Sequence, residues 1–145
     1  MGEFDSSRTF GIRASKSALY FNDIRKFGFF KLVNREELDL EKNKYGVEPF
    51  DPEFTFKFFN ELIDKKPKAK LKAFLLDQKH ISGIGNIYAD EALYAAGLRP
   101  NRLAGSLTAT ERKTLFAKIP KILQKAIEHR GTSVNTYVDS DGSKG

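Results

Sequence analysis

Apolar residues recur at helical spacing through most of the chain and at strand spacing only near its start. Thr9 to Ala14 and Leu19 to Phe21 are short β-prone runs joined by the polar turn Ser15-Lys16-Ser17. Phe27-Gly28-Phe29-Phe30-Lys31-Leu32-Val33, rich in aromatic and branched residues, predicts a third strand. Three strands make a small sheet whose apolar face needs a helix or a partner chain against it. Asn34-Arg35-Glu36-Glu37 has the spacing of a capping box and predicts a short helix. Lys42 to Phe50, with Gly46 and Pro49, reads as a linker. Asp51-Pro52 then predicts a helix start, a cap followed by proline at the first helical position. Phe54, Phe58, Phe59, Leu62 and Ile63 fall on one face of that helix, so they read as core rather than as stacking platforms.

The stretch from Leu75 to Pro100 is two helical runs around a glycine turn, Gly83-Ile84-Gly85-Asn86. The first run ends at Gln78-Lys79, and the second closes at Gly97 and is stopped by Pro100. Glycines let a backbone pass close to something bulky, because they carry no Cβ. Asn86 is expected to cap the second helix, whose first amides are donors at the positive end of a helix dipole. With Lys79 nearby, Gly83, Gly85 and Asn86 form a candidate anion seat, and the expected anion is a nucleic-acid phosphate. Beyond Pro100, Thr108-Ala109-Thr110-Glu111 is a second capping box. Leu115, Phe116, Ile119, Ile122, Leu123, Ala126 and Ile127 mark the last helix, with Pro120 expected to kink it and Gly131 to end it.

Charge narrows the partners. The 145 residues carry a formal net charge of +6, which favours a polyanion but leaves nucleic acid, anionic membrane and ribosome open. Lys65 to Lys72 holds five lysines in eight residues; such a run is ordinarily a solvated surface, and here it also suits a supplementary phosphate-facing patch. Hydrophobic residues at 40%, with 13 phenylalanines, suffice for a core. No apolar run reaches the roughly 18 residues of a membrane span. Met1-Gly2-Glu3-Phe4-Asp5 does not read as a secretory leader, so an intracellular protein, cytoplasmic or nucleoid, is expected. With no cysteine, and His80 and His129 far apart, neither a disulfide nor a zinc site is expected, and no metal ligand is assigned.

The string LLDQKHISGIGNIYADEALYAAGLRP resembles the helix–two-turn–helix of the formamidopyrimidine-DNA glycosylase and endonuclease VIII family. Those enzymes remove oxidised bases from DNA and then cut the strand. The resemblance covers about Tyr20 to Gly142. It implies a mainly α chain: a helix–two-turn–helix DNA-binding domain over residues 53–145, a linker with a short helix over 34–52, and, over 1–33, a three-strand remnant of a β-sandwich. It also implies that Arg25 and Phe27 enter the DNA opposite the lesion, as partner of the orphaned base and as wedge. Read from the residues alone, Phe27 is rather a core strand residue and Arg25 a solvated turn charge, and the resemblance reverses that preference. Val134, Asn135, Thr136 and Tyr137 resemble part of the loop that closes over the flipped base.

The family's nucleophile is an N-terminal proline amine that attacks the sugar C1′, with an adjacent glutamate as acid. This chain begins Met1-Gly2-Glu3 and has no proline before Pro49, so no catalytic residue is assigned and the chain is expected to be catalytically incomplete. The family's zinc finger would begin after Gly145, so no cofactor is expected. The expected partner is double-stranded DNA, damaged or abasic, bound by the lesion-recognising part of a glycosylase/AP lyase for oxidised purines. The alternatives are a non-enzymatic module gripping RNA or the ribosome, and a basic helical interaction domain.

Overall fold

The computed structural model describes residues 9–14, 16–22 and 28–131. The chain divides into two units, Met1–Leu38 and Asp39–Gly145. In the first, β1 (Thr9–Ala14) and β2 (Ser17–Asn22) form an antiparallel hairpin in which Thr9 pairs with Asn22 and Ala14 with Ser17. Phe21 meets Phe30 edge to face at 4.8 Å between ring centres. The predicted third strand is not there. Residues 28–34 form no strand, and the sheet has two strands among the described residues. Strand propensity measures how well side chains fit a half-buried pleated surface, and here Phe29 and Leu32 are exposed instead. The capping box holds: Asn34 Oδ1 accepts from the Glu37 amide at 2.9 Å, and a Glu37 carboxylate oxygen accepts from the Asn34 amide at 3.0 Å, opening α1 (Arg35–Lys42).

The second unit is helical: α2 (Phe56–Lys65), α3 (Leu71–Leu76), α4 (Asn86–Ala95), a 3-10 turn (Ala104–Ser106) and α5 (Ala109–Glu128). Helix α2 starts later than Asp51-Pro52 predicts. Asp51 instead closes a turn, its carboxylate accepting from the Glu48 amide, and Thr55 is the cap, its hydroxyl accepting from the Phe58 amide at 3.2 Å. A core of Phe59, Ile63, Leu71, Leu75, Leu93, Leu115 and Ile119 is sealed from solvent. Phe59 of α2 meets Phe74 of α3 edge to face at 5.9 Å and Phe116 of α5 at 5.8 Å, so aromatic contacts join α2, α3 and α5, and Phe54 stacks on Phe116 at 5.1 Å. Of the phenylalanines read as core, Phe54 and Phe59 are buried and Phe58 is partly buried against them, with Phe54 lying just before α2 rather than on it. Pro120 lies inside α5 without ending it.

Helix α3 has only six residues, and its start is tied to the loop that follows α4. The amides of Leu71 and Lys72 donate to the carbonyls of Arg102 and Pro100 at 2.8 and 2.9 Å, and the Ala104 amide donates to the Ala69 carbonyl at 2.8 Å. Arg102 in turn makes a bidentate pair with Glu111, at 2.6 and 2.8 Å, beside the Thr108–Glu111 capping box of α5. The Arg102 guanidinium, helped by the Thr108 amide, holds the Glu111 carboxyl down at about 2. Among the described residues no helix is long and apolar enough to cross a membrane.

Candidate nucleic-acid interface

Two turns separate α3 from α4. The first is built on Asp77, whose carbonyl accepts from the amides of His80 and Ile81. Its carboxylate takes the Lys66 ammonium at 2.8 Å, faces His80 Nδ1 at 3.1 Å, and accepts from the Lys79 amide at 3.2 Å. Chiefly because of Lys66, the Asp77 carboxyl is held at about 2. Lys79 itself is exposed at this turn and joins no ion pair among the described residues.

The second turn passes through Gly83 at φ 87°, a left-handed conformation that side chains with a Cβ adopt at a cost. Gly85 follows in extended backbone, φ −96° and ψ 176°, and is the N-cap of α4. The sequence expectation of Asn86 as cap is corrected here. The residue whose carbonyl accepts the first helical bond, from the Ala89 amide at 2.9 Å, is Gly85, which places Asn86 at the first helical position. Glycine offers no capping side chain, so the amides of Asn86, Ile87 and Tyr88 stand ahead of the first intrahelical bond with no side-chain acceptor from the cap. The Asn86 side chain is exposed and spends nothing on capping. A Cβ at Gly83 or at Gly85 would meet nothing within 4 Å. Gly83 has its conformation as a reason to be glycine, whereas among the described residues nothing requires glycine at position 85.

Residues that sequence reasoning missed hold these turns in place. The stretch read as a linker is laced to the first turn: the Gly46 amide donates to the Gln78 carbonyl at 2.8 Å, Val47 to His80 at 3.2 Å, and Ser82 to Val47 at 3.1 Å. Ser82, the buried polar residue of this unit among those described, donates its hydroxyl to the Gly46 carbonyl at 2.8 Å. Gln78 accepts from the Gly83 amide and donates to the Ile84 carbonyl, both at 2.9 Å. These partners come from the fold or from side-chain reach, and no spacing rule marks them. The Asp77–His80 pair, three residues apart, was the one local signal available.

The lysine run is divided. Lys66 pairs with Asp77, and Lys72 with Asp90 at 2.9 Å, so both serve the fold. Lys65, Lys68 and Lys70 remain exposed. The expected site residues Arg25 and Phe27, and Val134, Asn135, Thr136 and Tyr137, lie outside the described residues. Among those described, no group of three or more His, Cys, Asp or Glu could hold a metal ion, and the sequence has no cysteine.

Comparison with known proteins is specific. The family model "Formamidopyrimidine-DNA glycosylase H2TH domain" matches residues 45–138. A formamidopyrimidine-DNA glycosylase of Carboxydothermus hydrogenoformans is 48% identical over 127 residues, covering 88% of this chain and 45% of the relative. One from Heliobacterium modesticaldum is 44% identical over 131 residues, covering 89% and 47%. Among solved structures, Lactococcus lactis Fpg in complex with DNA containing an abasic site superposes with a TM-score of 0.76 at 32% identity, covering 95% of this chain and 56% of that one. MutM in complex with DNA containing carbocyclic 8-oxo-G gives 0.75 at 36% identity, covering 86% and 47%. The chain thus spans about half the length of the curated relatives it matches.

Proposed function

Because this chain belongs to the family of the formamidopyrimidine-DNA glycosylase H2TH domain, we propose that it grips double-stranded DNA at a damaged or abasic site. In this reading it is the DNA-binding, lesion-recognising part of a base-excision-repair glycosylase/AP lyase for oxidised purines. The base-removing and strand-cutting chemistry is proposed of the whole protein, of which this chain corresponds to about half the length of its relatives.

The observation that carries the proposal is the start of α4. Three amides point out of a helix N-terminus, where the dipole favours an anion. Among the described residues nothing gives the glycine ahead of them a reason to lack a side chain, which fits a phosphate that must come close. Lys79 adds an exposed cation on the neighbouring turn, and Asn86 adds an uncommitted amide side chain. Neutral amides fix a phosphate's position, and the lysine adds the salt-dependent attraction. We assign Lys79, Gly83, Gly85 and Asn86 to this contact. Arg25 and Phe27 are proposed to enter the duplex opposite the lesion, and Val134 to Tyr137 to close over the extruded base.

The test is a titration of the chain against a duplex carrying an abasic-site analogue, the undamaged duplex, and an RNA duplex, each between 50 and 200 mM salt. The abasic duplex should bind tightest, with affinity falling as salt rises. Preference for RNA, or no binding at all, would overturn the proposal.

A further inference from the structure

The helix start can hold an anion only if the turn before it has already taken its shape, and one side chain sits where that shape is decided. Gln78 is half-buried on the inner side of the second turn. Its side-chain oxygen accepts from the Gly83 amide at 2.9 Å. Its side-chain nitrogen donates to the Ile84 carbonyl at 2.9 Å and to the Leu76 carbonyl at 3.2 Å. The orientation of the amide is dictated by its partners, because a backbone N–H needs the oxygen and the two carbonyls need the nitrogen. The same residue's main-chain carbonyl receives the Gly46 amide. One glutamine thus ties together the end of α3, the strap at residue 46, and the peptide groups before Gly83 and after Ile84.

We infer that Gln78 is a positioning residue for the anion seat. It satisfies the inward-facing amide of Gly83 and carbonyl of Ile84, and so holds the left-handed Gly83 and the extended Gly85 in the one arrangement that directs the Asn86–Tyr88 amides outward. Without it, the turn would exchange these two bonds for water and populate other conformers, which glycine permits more readily than any other residue. The bound partner would then have to order the turn, and affinity would drop by the fraction of time it is misplaced. The inference rests on the DNA-binding reading for its ligand, though the hold of Gln78 on the turn does not.

Gln78→Met, close in volume and lacking both hydrogen-bonding groups, is the direct test, read on the 145-residue chain. Amide exchange at Gly83 should accelerate at least about tenfold while the amides in the middle of α5 keep their rate. Affinity for the abasic-analogue duplex should fall about five- to tenfold, the scale of one neutral hydrogen bond. The salt slope should stay as it was, since no charge is lost. Gln78→Glu keeps an acceptor for Gly83 and loses the donor, so Gly83 should stay protected in that variant. Unchanged exchange at Gly83 in Gln78→Met would overturn the inference, as would unchanged affinity. Acceleration spread equally across α5 would also overturn it, because Gln78 would then be stabilising the unit as a whole. If the unaltered chain binds no duplex, the proposed function falls, and exchange at Gly83 still decides whether Gln78 holds the turn.

Discussion

Gly46 lies directly against the main chain of His80: a Cβ on Gly46 would overlap the His80 carbonyl and stand 2.7 Å from its Cα. Backbone meets backbone there, so no flexible side chain can yield. Gly46→Ala should force the strap away from the first turn and break the bonds from the Gly46 and Val47 amides. The expected loss is about 1–3 kcal/mol, as for other overpacked sites. For a unit of this size each kcal/mol lowers the melting temperature by about 4–8 °C. A melting curve on the purified variant checks it; a difference under about 2 °C would show that the strap has room to move.

The seat residues should separate stability from binding. Gly85→Ala meets no atom and needs no unusual φ, so it should cost less than about 1 kcal/mol, the scale of an altered cap. It should nevertheless weaken binding to abasic-analogue DNA, because the added methyl stands where a phosphate would approach. Asn86→Ala should weaken binding with the fold intact. Lys79→Ala should also flatten the log-log salt dependence by about one, as for the loss of one phosphate contact. Full affinity in a folded Gly85→Ala variant would place the anion elsewhere.

Capping boxes were legible because they are local: Asn34–Glu37 and Thr108–Glu111 announce themselves by a spacing of three, and the structure contains both. Gly83 was legible for a similar reason, since a glycine between two helical runs marks a turn whose φ other residues avoid. What failed was whatever depends on distant chain. Residues 42–50 look like a linker because Gly46 and Pro49 suit one, yet Gly46 is glycine for the sake of His80, 34 positions on. Lys66 and Lys72 were indistinguishable from their neighbours until Asp77 and Asp90 were seen beside them. Asn86 and Gly85 both make acceptable caps, and one position of helix phase decided between them. The Gly28–Val33 run has strand-forming side chains, but composition cannot supply the ladder a strand needs.

Acid should loosen the helical unit in a defined window. Asp77 and Glu111 both have folded-state values near 2, below their ordinary 3.8 and 4.5. A depressed carboxyl contributes stability that is fully present above its unfolded value and lost as pH falls through the folded one. Stability should therefore be flat above about pH 5 and decline between about pH 4.5 and 2. Asp77→Asn should remove part of that decline. An unaltered profile in Asp77→Asn would show that the Lys66 pair is too well solvated to matter.

Phe27 can be sorted by stability alone. A phenylalanine that serves as a wedge in DNA is dispensable to the free protein, so Phe27→Ala should leave melting nearly unchanged and weaken binding to the abasic duplex. A core phenylalanine would cost about 3–5 kcal/mol. A collapse of the melting transition would assign Phe27 to the interior and remove it from the proposed contact.

The lacing of α3 to the loop after α4 has a consequence for how the hairpin comes to exist. Six residues fall well short of the roughly 12–15 that an isolated helix needs in water, and the first two amides of α3 find their acceptors at Arg102 and Pro100. The hairpin is therefore a product of high contact order, assembled only once sequence-distant chain has returned to both ends of α3. An excised peptide spanning residues 71–97 contains the glycine turn and both helices of the hairpin but none of these returning segments. Circular dichroism should find it largely unfolded, and it should bind a phosphate no better than a lysine-bearing random coil.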